Sequence, residues 1–143
     1  QLNGAWTLTS GSTLQATYSA DIAERYAADK IYDCGTVLII GGIKEVTTTD
    51  QRASLLVAGI VSTNPAFKLN SGAGDDESHP YIALKGRVPC KVRGPVSKGD
   101  RLVTSGTPGH AEVFKDGDDS GAVLGIALSG TSLLYDVIEV IVK

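Results

Sequence analysis

The chain has 143 residues, of which 42% are hydrophobic but only 6% aromatic, and its formal net charge is −3. This length suits one domain, and the composition predicts a core built mostly from Val, Ile, Leu and Ala. The mild charge without a basic stripe argues against nucleic-acid binding, and the longest apolar run, "GTVLIIGG", is too short for membrane insertion.

The chain starts at Gln1 and contains no methionine, so we expect it to be a segment of a longer protein. Its first residues lack the basic-then-apolar pattern of a signal peptide. The two cysteines, Cys34 and Cys90, are far apart and lack metal-type spacing, which predicts two unpaired thiols. No phosphate-binding or dinucleotide-binding motif occurs, and the acidic segments lack the spacing of a calcium loop. We therefore expect no cofactor and no metal.

Residues 1–19 are predicted to form an extended arm that links the domain to a shaft or a neighbouring subunit. The segment "AWTLTSGSTLQAT" alternates apolar and polar residues around a Ser-Gly turn, which favours extended chain or a small hairpin. Its main large apolar residues are Trp6, Leu8 and Leu14. So short an arm buries little by itself, and we expect it to pack on another chain or on the following domain.

Residues 21–30, "DIAERYAADK", are predicted to form the one short helix. The residue types favour helix, and Ile22 and Tyr26 recur at helical spacing. Asp21 as N-cap and Glu24 three residues later have the spacing of a capping box. Both charges would also suit the positive end of the helix dipole.

The same two carboxylates allow a catalytic interpretation. Asp21 could attack or protonate the carbonyl of the preceding Ala20–Asp21 bond, while Glu24 acts as base or acid. Mutual repulsion and burial would raise the pKa of one carboxylate and so divide the roles. The two interpretations are compatible, because a capped helix start would also hold both side chains in place.

From Cys34 onward the pattern predicts short strands joined by glycine-rich turns. The segment "YIALKGRVPCKV" is expected to be interrupted around Gly86 and Pro89. The segments "VAGIVST" and "VLGIALS" both place Gly-Ile inside an apolar strand, which predicts a close backbone neighbour at Gly59 and at Gly125. Residues 20–143 are therefore expected to form a mainly β domain, a compact barrel or sandwich of short strands.

The order of several short motifs resembles a domain at the C-terminal ends of tailed-phage fibre and appendage proteins. The resemblance is to relatives of the autocleaving intramolecular chaperone of phage neck appendages, a glutamic-peptidase-like family, and it covers about residues 18–143. The motifs that carry it are Ala20-Asp21-x-Ala23-Glu24-x-Tyr26, Val61-Ser62-x-Asn64-Pro65, Gly86-Arg87-Val88-Pro89 and Lys98-Gly99-Asp100.

The resemblance implies a domain that trimerises at the end of a fibre and helps the upstream chains to register and fold. In autocleaving members the cut falls just before the Asp of an Asp-x-x-Glu stretch, which corresponds here to Asp21 and Glu24. Ala20 stands where an autocleaving relative has serine, and many relatives keep the domain. The leading hypothesis is therefore a domain that is not cleaved, and the enzymatic assignment stays open.

The resulting functional hypothesis is a structural and assembly domain of a phage virion tail or appendage, outside the cell. Its expected partners are two further copies of itself, other virion proteins and a host cell-surface receptor. The polar loop 64–80 and the turns 106–110 and 115–121 are the expected presenting surfaces. The alternatives are an autoprotease that cuts Ala20–Asp21 and a secreted filament or adhesion subunit.

Overall fold

The computed structural model describes residues 4, 7, 9–13 and 15–143. In this part of the chain the structure is mainly β, and no helix reaches seven residues. The prediction for Trp6, Leu8 and Leu14 concerns residues outside the described ones. The strands are β1 Asp21–Arg25, β2 Val37–Ile40, β3 Val46–Thr47, β4 Val57–Val61, β5 Phe67–Leu69, β6 Tyr81–Arg93, β7 Arg101–Thr104, β8 Ala111–Val113, β9 Gly125–Ala127 and β10 Tyr135–Val142, with 3₁₀ turns at Ser71–Ala73 and Ser120–Ala122.

Five of these strands close into a barrel. The strand β6 pairs with β10, β10 with β9, β9 with β7, β7 with β8, and β8 returns to β6. Alternate residues of each strand point to opposite faces, and the inward set of β6 and β10 is apolar. The buried residues of these two strands in the barrel core are Val88, Cys90, Val92, Ile138, Val140 and Val142.

The remaining strands extend the sheet from β6. The strands β4, β2 and β3 follow one another beyond it, and β1 pairs antiparallel with β6 and parallel with β5. A second apolar cluster fills this part, and it consists of Leu38, Val46, Val61 and Ile82 with Tyr26, Ala28, Tyr32 and Ala58 packed against it. The prediction of a mainly β barrel or sandwich is confirmed.

The prediction of a helix at residues 21–30 is wrong. Asp21–Arg25 form β1, which is held between β5 and β6, and the residues up to Lys30 form no helix. Helix propensity is a weak local preference, and here pairing with two strands that lie far away in the sequence outweighs it. The capping-box interpretation of Asp21 and Glu24 fails with the helix.

The break expected in β6 does not occur, because Tyr81–Arg93 form one continuous strand. Next to Gly86, however, the pairing of β6 with β1 shifts register between Lys85 and Ala83. The amides of Arg87 and Lys91 donate to Ala20 and Gly35, on the side of β6 away from β10. Pro89 lies midway between them, so the N–H that it lacks would also point away from β10 and the ladder to β10 stays intact.

The glycines of the two Gly-Ile segments do face close backbone neighbours, as predicted. A Cβ at Gly59 would overlap the carbonyl oxygen of Ala83, and one at Gly125 would overlap that of Ile141. Gly86 is a third such position, with φ +107°, where a Cβ would overlap the carbonyl oxygen of Ala20. This contact brings the incoming arm against β6.

We predict that Gly86→Ala lowers the free energy of unfolding by about 2–4 kcal/mol, from backbone strain and overpacking against Ala20. Gly117 is the matched control, because its φ is +95° but a Cβ there would meet no atom within 4 Å. Gly117→Ala therefore carries the backbone cost alone, about 1 kcal/mol. Urea unfolding measures both, and equal losses would contradict the packing role of Gly86.

Candidate functional site around the Ala20–Asp21 bond

The Ala20–Asp21 peptide bond lies at the joint where the arm enters β1. Backbone hydrogen bonds hold the carbonyl group of the bond itself, from Ala20, and the next carbonyl group along the chain, from Asp21. The Arg87 amide donates to the oxygen of Ala20 at 3.2 Å, and the Ala66 amide donates to the oxygen of Asp21 at 2.9 Å. The side-chain amide of Asn64 donates to the Ser19 hydroxyl at 3.1 Å. The bond is therefore fixed from both sides before any chemistry is considered.

The Asp21 carboxylate is buried, with only 4% of the residue exposed. Its partner is the Ser62 hydroxyl, which donates to Oδ2 at 2.6 Å. Burial raises the pKa of Asp21, because the charged form loses its hydration, and the Ser62 hydrogen bond offsets part of this effect. A carboxyl group with a raised pKa beside a peptide bond can serve as a proton donor to that bond.

Glu24 lies on the other face of β1. Successive strand residues alternate between faces, so residues three apart project in opposite directions. The Tyr26 hydroxyl donates to Glu24 Oε2 at 2.6 Å, which raises the pKa of Tyr26 to about 12. Asp21 and Glu24 thus have separate hydrogen-bond partners, and within the described chain neither donates to or accepts from the other.

An open cavity of about 370 Å³ adjoins the bond. Ala20 and Asp21 line it together with Ser62, Arg87 and Glu139. Sequence reasoning did not assign the last three to the site. Ser62 and Arg87 lie in motifs that the resemblance had marked, whereas nothing local to Glu139 points to the joint.

The acidic segment 74–79 and the two cysteines do not contribute to the site around the Ala20–Asp21 bond. In the acidic segment 74–79, Asp76 forms an ion pair with Arg25 at 2.9 Å, and Asp75 accepts from the Ser78 amide. The described residues contain no cluster of three or more His, Cys, Asp or Glu that could hold a metal. Both cysteines are unpaired, as predicted, with Cys34 exposed and Cys90 buried.

Among the described residues, no helix has both the length and the apolar character needed to cross a membrane.

We predict that Asp21→Asn raises the free energy of unfolding at pH 7 and has little effect at pH values below about 3.8, the ordinary pKa of Asp. Because the folded pKa is raised, the native carboxyl group keeps its proton while the unfolded one ionises, so the wild type loses stability as pH rises. Asparagine does not ionise and escapes this loss. Urea unfolding across this pH range measures the difference, and a difference that is constant with pH would contradict the assignment.

The fold is similar to that of the pre-mature bacteriophage phi29 gene product 12 in its crystal structure, with a TM-score of 0.68 and 15% sequence identity. The similarity covers 99% of this chain and 24% of the other, so the chain spans about a quarter of that protein's length. No protein-family model and no curated protein matched the chain. At this identity the similarity establishes a shared fold, and the structural neighbour is a phage protein.

Proposed function

We propose that the chain is a structural and assembly domain of a phage virion appendage, in which copies of the chain associate as a trimer. The observation that carries the proposal is the fold shared with a phage protein over 99% of the chain. The motif order in the sequence points independently to the same class of protein. In this role the domain acts outside the cell, as part of the virion.

Exposed apolar side chains on regular strands support association. Ile22 of β1 and Phe67 and Leu69 of β5 are each more than 40% exposed, and Ile22 and Phe67 are paired across the two strands. Apolar side chains grouped on one strand surface are typical of a surface that another chain covers.

The joint supports a role in registering the upstream chain. Hydrogen bonds from Asn64 to Ser19 and from Arg87 to Ala20 fix the direction in which the arm leaves the domain. In an assembly with several copies, the arms would then leave at fixed positions, which would align the chain segments that precede them. Residues 64–80 are not one long loop as predicted, because they contain β5 and a 3₁₀ turn. Their exposed connecting residues and the turns 106–110 and 115–121 would be available for contact with other virion proteins or a host receptor.

A second candidate function is self-cleavage of the Ala20–Asp21 bond. The observation that favours it is the buried Asp21 carboxyl group with its raised pKa next to a carbonyl that the Arg87 amide already binds. Water would add to the Ala20 carbonyl carbon and lose a proton to the Glu24 carboxylate, the base that the resemblance implies, which would first have to turn from the opposite face of β1. The bond to the Asp21 nitrogen would break, and that nitrogen would take the proton of the Asp21 carboxyl group.

For the assembly role, we predict a solution mass three times the 14.8 kDa of the single chain. Light scattering coupled to size-exclusion chromatography measures this mass. The physical reason is burial of the exposed apolar strand surfaces, which stabilises association by about 25 cal/mol per Å² of apolar area. A single-chain mass at every concentration tested would contradict assembly.

For self-cleavage, the chain is incubated for days and followed by intact mass spectrometry. The expected product is a fragment that begins at Asp21, and Asp21→Asn and Glu24→Gln should each abolish it. Glu77→Gln is the control, because Glu77 lies on the exposed loop 74–79 and should not affect the rate. A wild-type mass that stays constant would reject this candidate and leave the assembly role untouched.

A further inference from the structure

The outer face of β6, β9 and β10 combines apolar and cationic side chains in cross-strand rows. Pairing places Arg101, Ile126, Ile141 and Arg87 in one row across β7, β9, β10 and β6. Further along, Val137 lies opposite Lys91 and Tyr135 opposite Arg93. This surface, called here the basic–apolar face, comprises Lys85, Arg87, Lys91, Arg93, Arg101, Ile126, Tyr135, Val137 and Ile141.

Three of the four apolar members, Tyr135, Val137 and Ile141, are exposed although the strand that carries them is regular, and Ile126 is half-buried. Val137 is 54% exposed and Ile141 is 40% exposed, whereas Ile138 and Val140 between them are buried in the barrel. The strand alternation therefore satisfies the core with one set of β10 residues and leaves a second apolar set facing outward. An isolated exposed apolar residue is ordinary, but a cross-strand row of them indicates a contact surface.

The charge on this face has the opposite sign to that of the whole chain. It carries five of the 13 Lys and Arg residues, while the chain as a whole has a net charge of −3. The rest of the chain must therefore be more strongly acidic than the total suggests. Among the described residues, Lys85, Arg87 and Arg93 form no ion pair.

The other cations of the face are only partly compensated. Lys91 pairs with Asp33 at 2.6 Å, and the Arg101 guanidinium stacks over the Phe114 ring at 4.1 Å. Glu139 is the acidic residue of β10 that points to the same side. The face therefore stays basic after its own contacts are counted.

We propose that this face binds a second copy of the chain through a different, acidic part of that copy's surface. The proposal deepens the assembly function above and depends on it. Contact of the face with itself would bring like charges together, which is destabilising. Contact between unlike surfaces is heterologous, and a heterologous contact closes into a ring such as a trimer when the rotation between copies allows it.

The arrangement of charge favours a protein partner over an anionic polymer. Ile126 and Ile141 lie at the centre of the row, and Arg101 and Arg87 lie at its ends. An apolar centre with a charged rim is the usual anatomy of a protein–protein interface.

The test measures association of the 143-residue chain by sedimentation velocity over a range of concentrations, at about 50 mM and about 500 mM salt. Ile141→Asp should weaken association about tenfold or more, because it places a charge in the apolar centre. Ile43→Asp is the matched control, since Ile43 is 88% exposed in the β2–β3 turn, away from the face. It should associate like the wild type.

A second pair of variants tests the charge component. Arg87→Glu should weaken association about tenfold at low salt, and the loss should shrink at high salt. Lys44→Glu, in the exposed β2–β3 turn, makes the same charge change away from the face and should have little effect. Circular dichroism establishes that each variant keeps its β fold.

The outcomes separate the two proposals. A wild type that stays monomeric overturns both the assembly role and this interface. Association that resists Ile141→Asp and Arg87→Glu but is lost in Leu69→Asp, on β5, keeps the assembly role and overturns this interface. A stable two-chain species overturns ring closure. Face variants that still associate but lose binding to polygalacturonate, an acidic polysaccharide probe, would assign the face to anionic polymers instead.

Discussion

The contact between the Ala20 carbonyl and the backbone of Gly86 and Arg87 positions β1 and the residues before it against β6. The missing side chain at Gly86 lets the arm lie directly against β6, and the Arg87 amide binds the carbonyl that arrives there. β1 therefore starts at a fixed position on the longest strand of the fold. The same strand forms one wall of the barrel, so the joint, the core and the outer surface share a single element.

Burial of the Asp21 carboxyl group destabilises the fold, and packing at the joint does not require a carboxyl group. Asp21 is buried with a raised pKa, and Ser62 is the side chain that hydrogen-bonds its carboxylate. A neutral side chain of the same shape would form the joint without the desolvation penalty. The burial of a titratable group beside a peptide bond that is held in place is a reason to test for chemistry at that bond.

The β class of the fold was predictable because glycine-rich turns and runs of β-branched residues are local features of the sequence. The close backbone contacts at Gly59 and Gly125 were predictable from the same patterns. The strand at Asp21–Arg25 was not predictable from its own residues. Its helix-favouring composition is overridden by pairing with β5 and β6, which are distant in the sequence.

The candidate bond could be located from the Asp-x-x-Glu spacing, but its surroundings could not. Ser62, Arg87 and Glu139 reach the joint from three other strands or turns, and a one-dimensional pattern contains no information on that convergence. The opposite orientation of Asp21 and Glu24 likewise follows only from β1 being a strand.

The outer surface of β6 and β10 also follows from strand geometry. Alternation along each strand directs one set of side chains into the barrel core and leaves Val137, Ile141 and Arg87 outside. A crystal structure of the assembled chain is predicted to show a ring in which these three residues contact a non-identical surface of the neighbouring copy. An assembly that leaves them in solvent, or that joins the face to itself, would overturn the proposed interface.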